Sequence, residues 1–100
     1  MREVQGMEFY ATDRGFAIYQ IKDNELFIEA MAMDDDAQKK ETNEFLEVLF
    51  DKARKLGCNM VTGNVNMTKE RATERLLGHI RRGYKVAGND GIYTIMYKEL

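Results

Sequence analysis

The sequence predicts an α/β domain of the mixed (α+β) type, in which one mixed sheet carries two helices in the order β-β-β-α-β-α-β-β. Apolar residues alternate or cluster at strand spacing over residues 16–21 and 26–33, which is typical of β-strands. They recur at helical spacing over residues 45–56, which indicates an amphipathic helix. The run Gly88-Asn89-Asp90-Gly91 between two apolar stretches predicts a hairpin turn.

The element bounds follow from the same changes of period. We expect a first strand over Gly6–Thr12, then an antiparallel meander through the next two strands, because short turns connect all three. A helix between two strands predicts a right-handed crossover and parallel pairing. The predicted strands are 6–12, 16–21, 26–33, 58–65, 84–87 and 92–98, and the predicted helices are 42–56 and 69–82.

Three positions are candidate helix caps, because Asp and Thr side chains accept hydrogen bonds from free backbone N–H groups. Asp36 and Thr42 are both plausible caps for the first helix, and Thr68 for the second. Strict alternation along the third strand places Leu26, Ile28, Ala30 and Ala32 on one face and Phe27, Glu29, Met31 and Met33 on the other.

Length and composition predict one domain over residues 1–100. No apolar run is long enough to cross a bilayer, so no membrane association is expected. The N-terminus lacks the apolar core of a secretory signal. Cys58 is the only cysteine, which favours a reducing compartment such as the cytoplasm and predicts a small buried residue. One His and one Cys do not make a metal site, and none is predicted.

Charge is distributed unevenly although the net charge is only −2. Residues 34–44 hold five acids and two lysines, whereas residues 69–85 hold six basic residues and two acids. The low net charge weighs against nucleic acid as a partner. Arg71, Arg75 and Arg82 fall on one side of the predicted second helix and could bind an anionic ligand or a protein partner; the alternative is a solvated face.

The element order and several residues resemble the C-terminal core of the GNAT N-acetyltransferases. That family's pyrophosphate loop, Gln/Arg-x-x-Gly-x-Gly/Ala, follows a strand and precedes a helix, as does Gln38-Lys39-Lys40-Glu41-Thr42-Asn43 here. Gly83-Tyr84 is similar to the Gly-Phe pair before the family's last hairpin, and 96–100 to its closing strand. The resemblance covers residues 16–100 and lacks the family's first strand and first two helices.

The resemblance implies acetyl-CoA as the cofactor and names candidate site residues. Backbone near Met31 and Met33 would hold the pantetheine arm. Gln38, Lys39, Lys40 and Asn43 would lie at the pyrophosphate. Glu29, in mid-strand, corresponds to a catalytic base in some members, with an exposed sheet charge as the alternative. His79 stands where the family has a Tyr general acid, with a half-buried packing histidine as the alternative.

The departures from the family pattern lie at the loop. Glu41 and Asn43 replace the two glycines that let backbone N–H groups approach a diphosphate. Ala72 also replaces the family's Asn in the last helix, which only Asn66 upstream could supply. We therefore expect weak or absent acetyl-CoA binding and a binding or structural role, with an active N-acetyltransferase as the alternative.

The resemblance also predicts where the protein occurs and what it could assemble with. Degenerate proteins of this size and layout occur in tailed phages, which would place the chain in a host cytoplasm or a virion. Without the family's first helices, the wall of an acceptor pocket would have to come from a partner subunit, and a homo-oligomer is one way to supply it.

Overall fold

The computed structural model describes residues 7–100 and contains one six-stranded sheet and two helices. Gly6, at which the first predicted strand begins, lies outside the described residues. The strands are β1 (Met7–Thr12), β2 (Gly15–Lys22), β3 (Glu25–Met33), β4 (Met60–Asn66), β5 (Lys85–Asp90) and β6 (Tyr93–Glu99). The helices are α1 (Lys39–Lys55) and α2 (Ala72–Arg81). The predicted fold class and element order are confirmed.

The sheet has the strand order β1-β2-β3-β4-β6-β5. Strands β3 and β4 pair in parallel, and every other neighbouring pair is antiparallel. The predicted meander, crossover and hairpin are therefore all present. Two successive right-handed crossovers, through α1 and then α2, move across the sheet in one direction and leave both helices on the same face.

The core lies between this face of the sheet and the two helices. Helix α1 contributes an apolar stripe that packs on β3 and β4, and Phe50 of α1 meets Tyr84, just before β5, at a ring distance of 6.3 Å. The fully buried side chains of largest volume are Leu26, Leu46, Leu49, Met96 and Val61. In the described part of the chain, no helix is long and apolar enough to span a membrane.

Both helices begin at other residues than predicted. Helix α1 begins three residues earlier than predicted, at Lys39, because its cap residue is Gln38 rather than Asp36 or Thr42. Helix α2 begins three residues later, after Arg71, whose φ of 64° is left-handed. Thr68 is not its cap.

The last hairpin also turns later than predicted. Strand β5 continues through Gly88 and Asn89 to Asp90, and the two-residue turn is Gly91-Ile92, with Gly91 at a φ of 62°. A register shift between Val86 and Gly88 accommodates the longer strand, which bends at this point.

A β-bulge in β3 corrects the predicted alternation of faces. Ile18 pairs with Ala30, whereas the next residue of β2, Tyr19, pairs with Ile28, so Glu29 is the extra residue. Beyond the bulge, each side chain of β3 points to the opposite face of the sheet from the one that strict alternation predicts. Met31 packs against the core together with Ile28, whereas Ala30 and Ala32 are exposed.

Candidate functional site

Strands β3 and β4 pair over only part of their length and then diverge. Their parallel ladder ends at Ile28 and Gly63; beyond it and the unpaired Glu29, residues 30–33 pair only with β2 and residues 64–66 only with β6. Ligands of α/β proteins bind at the carboxyl ends of parallel strands, where such a divergence leaves room. Here the end of β3 leads through a five-residue loop, residues 34–38, to the start of α1.

The start of α1 carries its own anionic side chain. The carboxylate of Glu41, in the first turn, accepts the Gln38 backbone N–H at 2.9 Å. The first N–H groups of a helix have no partner within the helix and attract anions. Glu41 therefore provides, from within the chain, the kind of group that a bound phosphate would provide.

Arg14, in the turn between β1 and β2, reaches across to this loop. Its guanidinium lies 3.0 Å from a carboxylate oxygen of Glu41, 3.1 Å from Asp36 and 3.5 Å from Asp34. The Asp34 N–H also donates to the carbonyl oxygen of Arg14 at 2.7 Å, which fastens the turn to the loop. We call these four residues the Arg14 cluster.

The electrostatics of the cluster keep it charged. The hydrogen bond from the Gln38 N–H and the adjacent Arg14 guanidinium both lower the pKa of Glu41. The hydrogen bond to Glu41 raises the pKa of Arg14, which is protonated at any ordinary pH. Three acids thus surround one cation, and the cluster is negative overall at neutral pH.

The predicted cofactor residues gather around this loop. Met31 and Met33 are half-buried near the C-terminal end of β3. Lys39 and Lys40 are exposed in the first turn of α1. The side-chain oxygen of Asn43 accepts a hydrogen bond from Arg82 Nε at 2.6 Å. Gln38 is exposed and serves as the cap of α1.

The two predicted catalytic residues lie on opposite faces of the sheet. Glu29, on the bulge, is exposed and accepts a hydrogen bond from Gln20 Nε2 at 2.7 Å, on the face away from the helices. His79, on α2, lies on the face that the helices cover, with its ring centroid 5.3 Å from that of Tyr84. The structure does not bring these two side chains together.

The environment of His79 holds its ring neutral. Burial, followed by the nearby charges of Arg82 and Arg75, lowers the pKa of His79. Its buried Nδ1 has no hydrogen-bond partner among the described residues. This environment is that of the half-buried packing histidine considered above.

Of the three arginines, only Arg75 lies within α2, and Arg71 and Arg82 flank the helix. Arg71 precedes α2 and pairs with Glu74 at 3.0 Å. Arg82 follows the helix and bonds Asn43 of α1. Arg75 is exposed within the helix. Two of the three therefore already have partners within the chain.

Arg14 is the residue that sequence reasoning missed. The run Asp13-Arg14-Gly15 indicated a turn and nothing more. The only available signal was charge complementarity between an arginine in the first turn of the meander and the acidic run that follows its last strand. Pairing these two segments requires knowing that β2 begins beside the end of β3, where Gly15 pairs with Met33.

Comparison with known proteins gives structural matches only. No family model matches the sequence, and no curated protein matches it significantly. The solved structure of PaiA N-acetyltransferase from Thermoplasma acidophilum with coenzyme A aligns with a TM-score of 0.75 at 21% identity. That alignment covers 95% of this chain and 62% of PaiA, so this chain spans less than two thirds of that enzyme's length.

Two further structures give the same result. A Bacillus subtilis acetyltransferase with CoA matches at a TM-score of 0.72 and 16% identity, covering 97% of this chain and 79% of its own. The ribosomal-protein-S18-alanine N-acetyltransferase from Escherichia coli matches at 0.72 and 18% identity, covering 97% and 71%. At these identities the likeness is one of fold. The chain therefore has the fold of the GNAT acetyltransferases.

Proposed function

We propose that this GNAT-fold protein has a degenerate acetyl-CoA site, filled by its own side chains, and that it acts as a binding or structural protein. The observation that carries the proposal is the Glu41 carboxylate, which accepts the Gln38 N–H and is held there by Arg14. A diphosphate approaching the start of α1 meets a carboxylate in place of a free backbone N–H.

Steric and charge effects act in the same direction. Glu41 and Asn43 place side chains where the family pattern has glycines, so the backbone is no longer bare. Asp34 and Asp36 add negative charge beside Glu41, and Arg14 is shared among all three. Lys39 and Lys40 offset part of this charge, but they are exposed and screened by solvent.

The residues at the start of α1 therefore do not fit coenzyme A in the family's manner, and we derive no reaction step through it. The small acetyltransferase-like proteins of tailed phages share this compact layout. We propose a role of that type, in a host cytoplasm or a virion, with a protein partner or an anionic ligand.

An active N-acetyltransferase is the second candidate, and one observation favours it. The divergence of β3 and β4 beyond Ile28 and Gly63 is retained, and two of the structural matches were solved with coenzyme A. In that case Glu29 or His79 would handle the proton. Their positions on opposite faces allow only one of them to serve a single acceptor site.

Calorimetric titration with acetyl-CoA separates the two candidates. We expect the unmodified protein to bind no tighter than about 100 μM, which corresponds to about −5.5 kcal/mol. The double variant Glu41→Gly with Asn43→Gly should bind more tightly, because it bares the backbone and removes one charge. Glu47→Gly, on the exposed side of the same helix, is the matched control and should change nothing.

Two results would contradict the proposal. Low-micromolar binding by the unmodified protein would favour the enzyme. If that affinity also fell steeply as the salt concentration rose, the binding of the diphosphate would be attributed to Lys39 and Lys40. Equal binding by the double variant and the Glu47→Gly control, with both folded by circular dichroism, would mean that Glu41 is not what excludes the ligand.

A further inference from the structure

The sheet has one face that no described element covers. Both helices pack on the other face, where Ala17, Tyr19 and Met96 are buried. Because side chains alternate along a strand, the neighbours of these residues point the opposite way. We call this surface the open face; its apolar members include Phe9, Phe16, Ile18, Phe27, Ile95 and Tyr97.

The aromatic residues of the open face are unusually exposed for their size. Phe9 is 65% exposed and Phe16 is 37% exposed, and their rings stack on each other with centroids 6.1 Å apart. A single exposed apolar side chain is ordinary, but contiguous apolar surface across several strands marks an interaction site. On β3, Ala32 lies opposite Phe16 and Ala30 opposite Ile18, and both alanines are small and exposed.

The polar groups of this face are largely satisfied within the chain. Glu29 accepts a hydrogen bond from Gln20, and Glu25 accepts one from the hydroxyl of Thr62. At the rim, Lys85 lies 3.5 Å from Glu99. The face therefore presents no strong field of one sign, and a partner with an opposite field would gain little from it.

The size of the open face limits what can cover it. Six strands spaced about 4.8 Å apart and six to nine residues long give a face of about 600 Å². This area is of the same order as the roughly 800 Å² that each partner buries in a standard interface. A ten-residue helix, about 15 Å by 10 Å, would cover only about a quarter of it.

We propose that the open face docks against the open face of a second copy of this chain, giving a two-fold dimer with two packed sheets. An identical sheet has the required area and the same twist, and two such sheets pack about 10 Å apart at about −30°. Because the charges of this face are paired within each chain, like charges do not repel across the two-fold axis, as an isologous interface requires. The proposal is independent of whether coenzyme A binds.

Sedimentation velocity over a concentration series tests the dimer. We expect the unmodified protein to be a dimer at about 100 μM, with dissociation on dilution. The double variant Phe9→Lys with Phe16→Lys should be a monomer at the same concentration with an unchanged far-UV circular dichroism spectrum. Leu56→Lys is the matched control, since Leu56 is 61% exposed but lies at the end of α1, and it should remain a dimer.

A labelling experiment places the interface without relying on charged substitutions. In a Cys58→Ala background, a thiol at Ala30→Cys should be protected from a maleimide at dimer concentrations and react on dilution. A thiol at Leu77→Cys, on α2, should react equally at both concentrations. A monomer at every concentration, a dimer that survives the double Lys change, or an Ala30→Cys thiol that reacts equally at both concentrations would each overturn the proposal.

Discussion

Replacement of Gly15 by alanine is expected to destabilise the fold far more than the same change at Gly63. Gly15 opens β2 and pairs with Met33 at the end of β3. A Cβ at Gly15 would lie 2.5 Å from the carbonyl oxygen of Ala32 and 2.5 Å from the sulfur of Met33. The sulfur can move, but the carbonyl oxygen belongs to the sheet backbone, so the two strands must separate.

The expected difference can be sized from the contacts. Forcing an extra methyl group into a closed site costs about 1–3 kcal/mol. At Gly63 the added Cβ would have only Ile28 Cβ nearby, at 3.9 Å, an ordinary contact. Alanine there should be neutral or stabilising by up to about 1 kcal/mol, because glycine loses more backbone entropy on folding. The two variants should therefore differ by about 1–4 kcal/mol, which is at least about 4 °C in Tm.

Urea and thermal unfolding of the two variants measure this difference directly. The change at Gly15 should also loosen the turn that carries Arg14, so the backbone amide of Asp34, which donates to the Arg14 carbonyl, should exchange faster with solvent. Equal stability of the two alanine variants would refute the contact geometry at the end of β3. Unchanged exchange at Asp34 would refute the coupling between this turn and the loop.

Three further predictions concern pH and packing. The pKa of Glu41 is lowered in the folded state, so its ionised form stabilises the fold at pH values above its ordinary pKa of 4.5. This stabilisation is lost as the pH falls through the pKa of the folded state. Glu41→Gln should therefore make the free energy of unfolding less dependent on pH in acid. The pKa of His79 is lowered by burial, so stability should fall as pH drops below 6.5, and His79→Gln should remove that slope. Leu49→Ala, in the core, should cost about 2–5 kcal/mol, whereas Val48→Ala, at 37% exposure, should cost well under half as much.

Sequence periodicity predicted the fold because each element has a strong local signal. The alternation in β2 and the helical stripe of α1 are properties of neighbouring residues, and the crossover follows from handedness. The bulge at Glu29 has no such signal, since no glycine or proline marks it. The extra residue reverses which face of the sheet each later side chain of β3 occupies. Met31 therefore packs on the core, whereas strict alternation placed it on the same face as Phe27.

Helix starts were less predictable because tertiary partners choose among several plausible caps. Asp36 and Thr42 both have suitable side chains for α1, yet Asp36 bonds Arg14, and Gln38 is the cap of the helix. Thr68 has a suitable hydroxyl for α2, yet both its N–H and its hydroxyl donate to the side-chain oxygen of Asn66. A capping rule names residues that are able to cap, whereas the fold decides which of them lies free at the helix start.

In the function that we propose, the absence of glycines at Glu41 and Asn43 and the carboxylate contact of Glu41 are two parts of one arrangement. A helix start needs an acceptor for its first N–H groups, and a phosphate-binding loop leaves that role to its ligand. At Gln38 the Glu41 carboxylate supplies the acceptor permanently, and Arg14 then balances the charge that the acidic loop accumulates. A loop completed in this way keeps its shape without a ligand. The binding or structural role that we propose requires a start of α1 that keeps its shape without a bound diphosphate, and the Glu41 contact is the feature that would provide it.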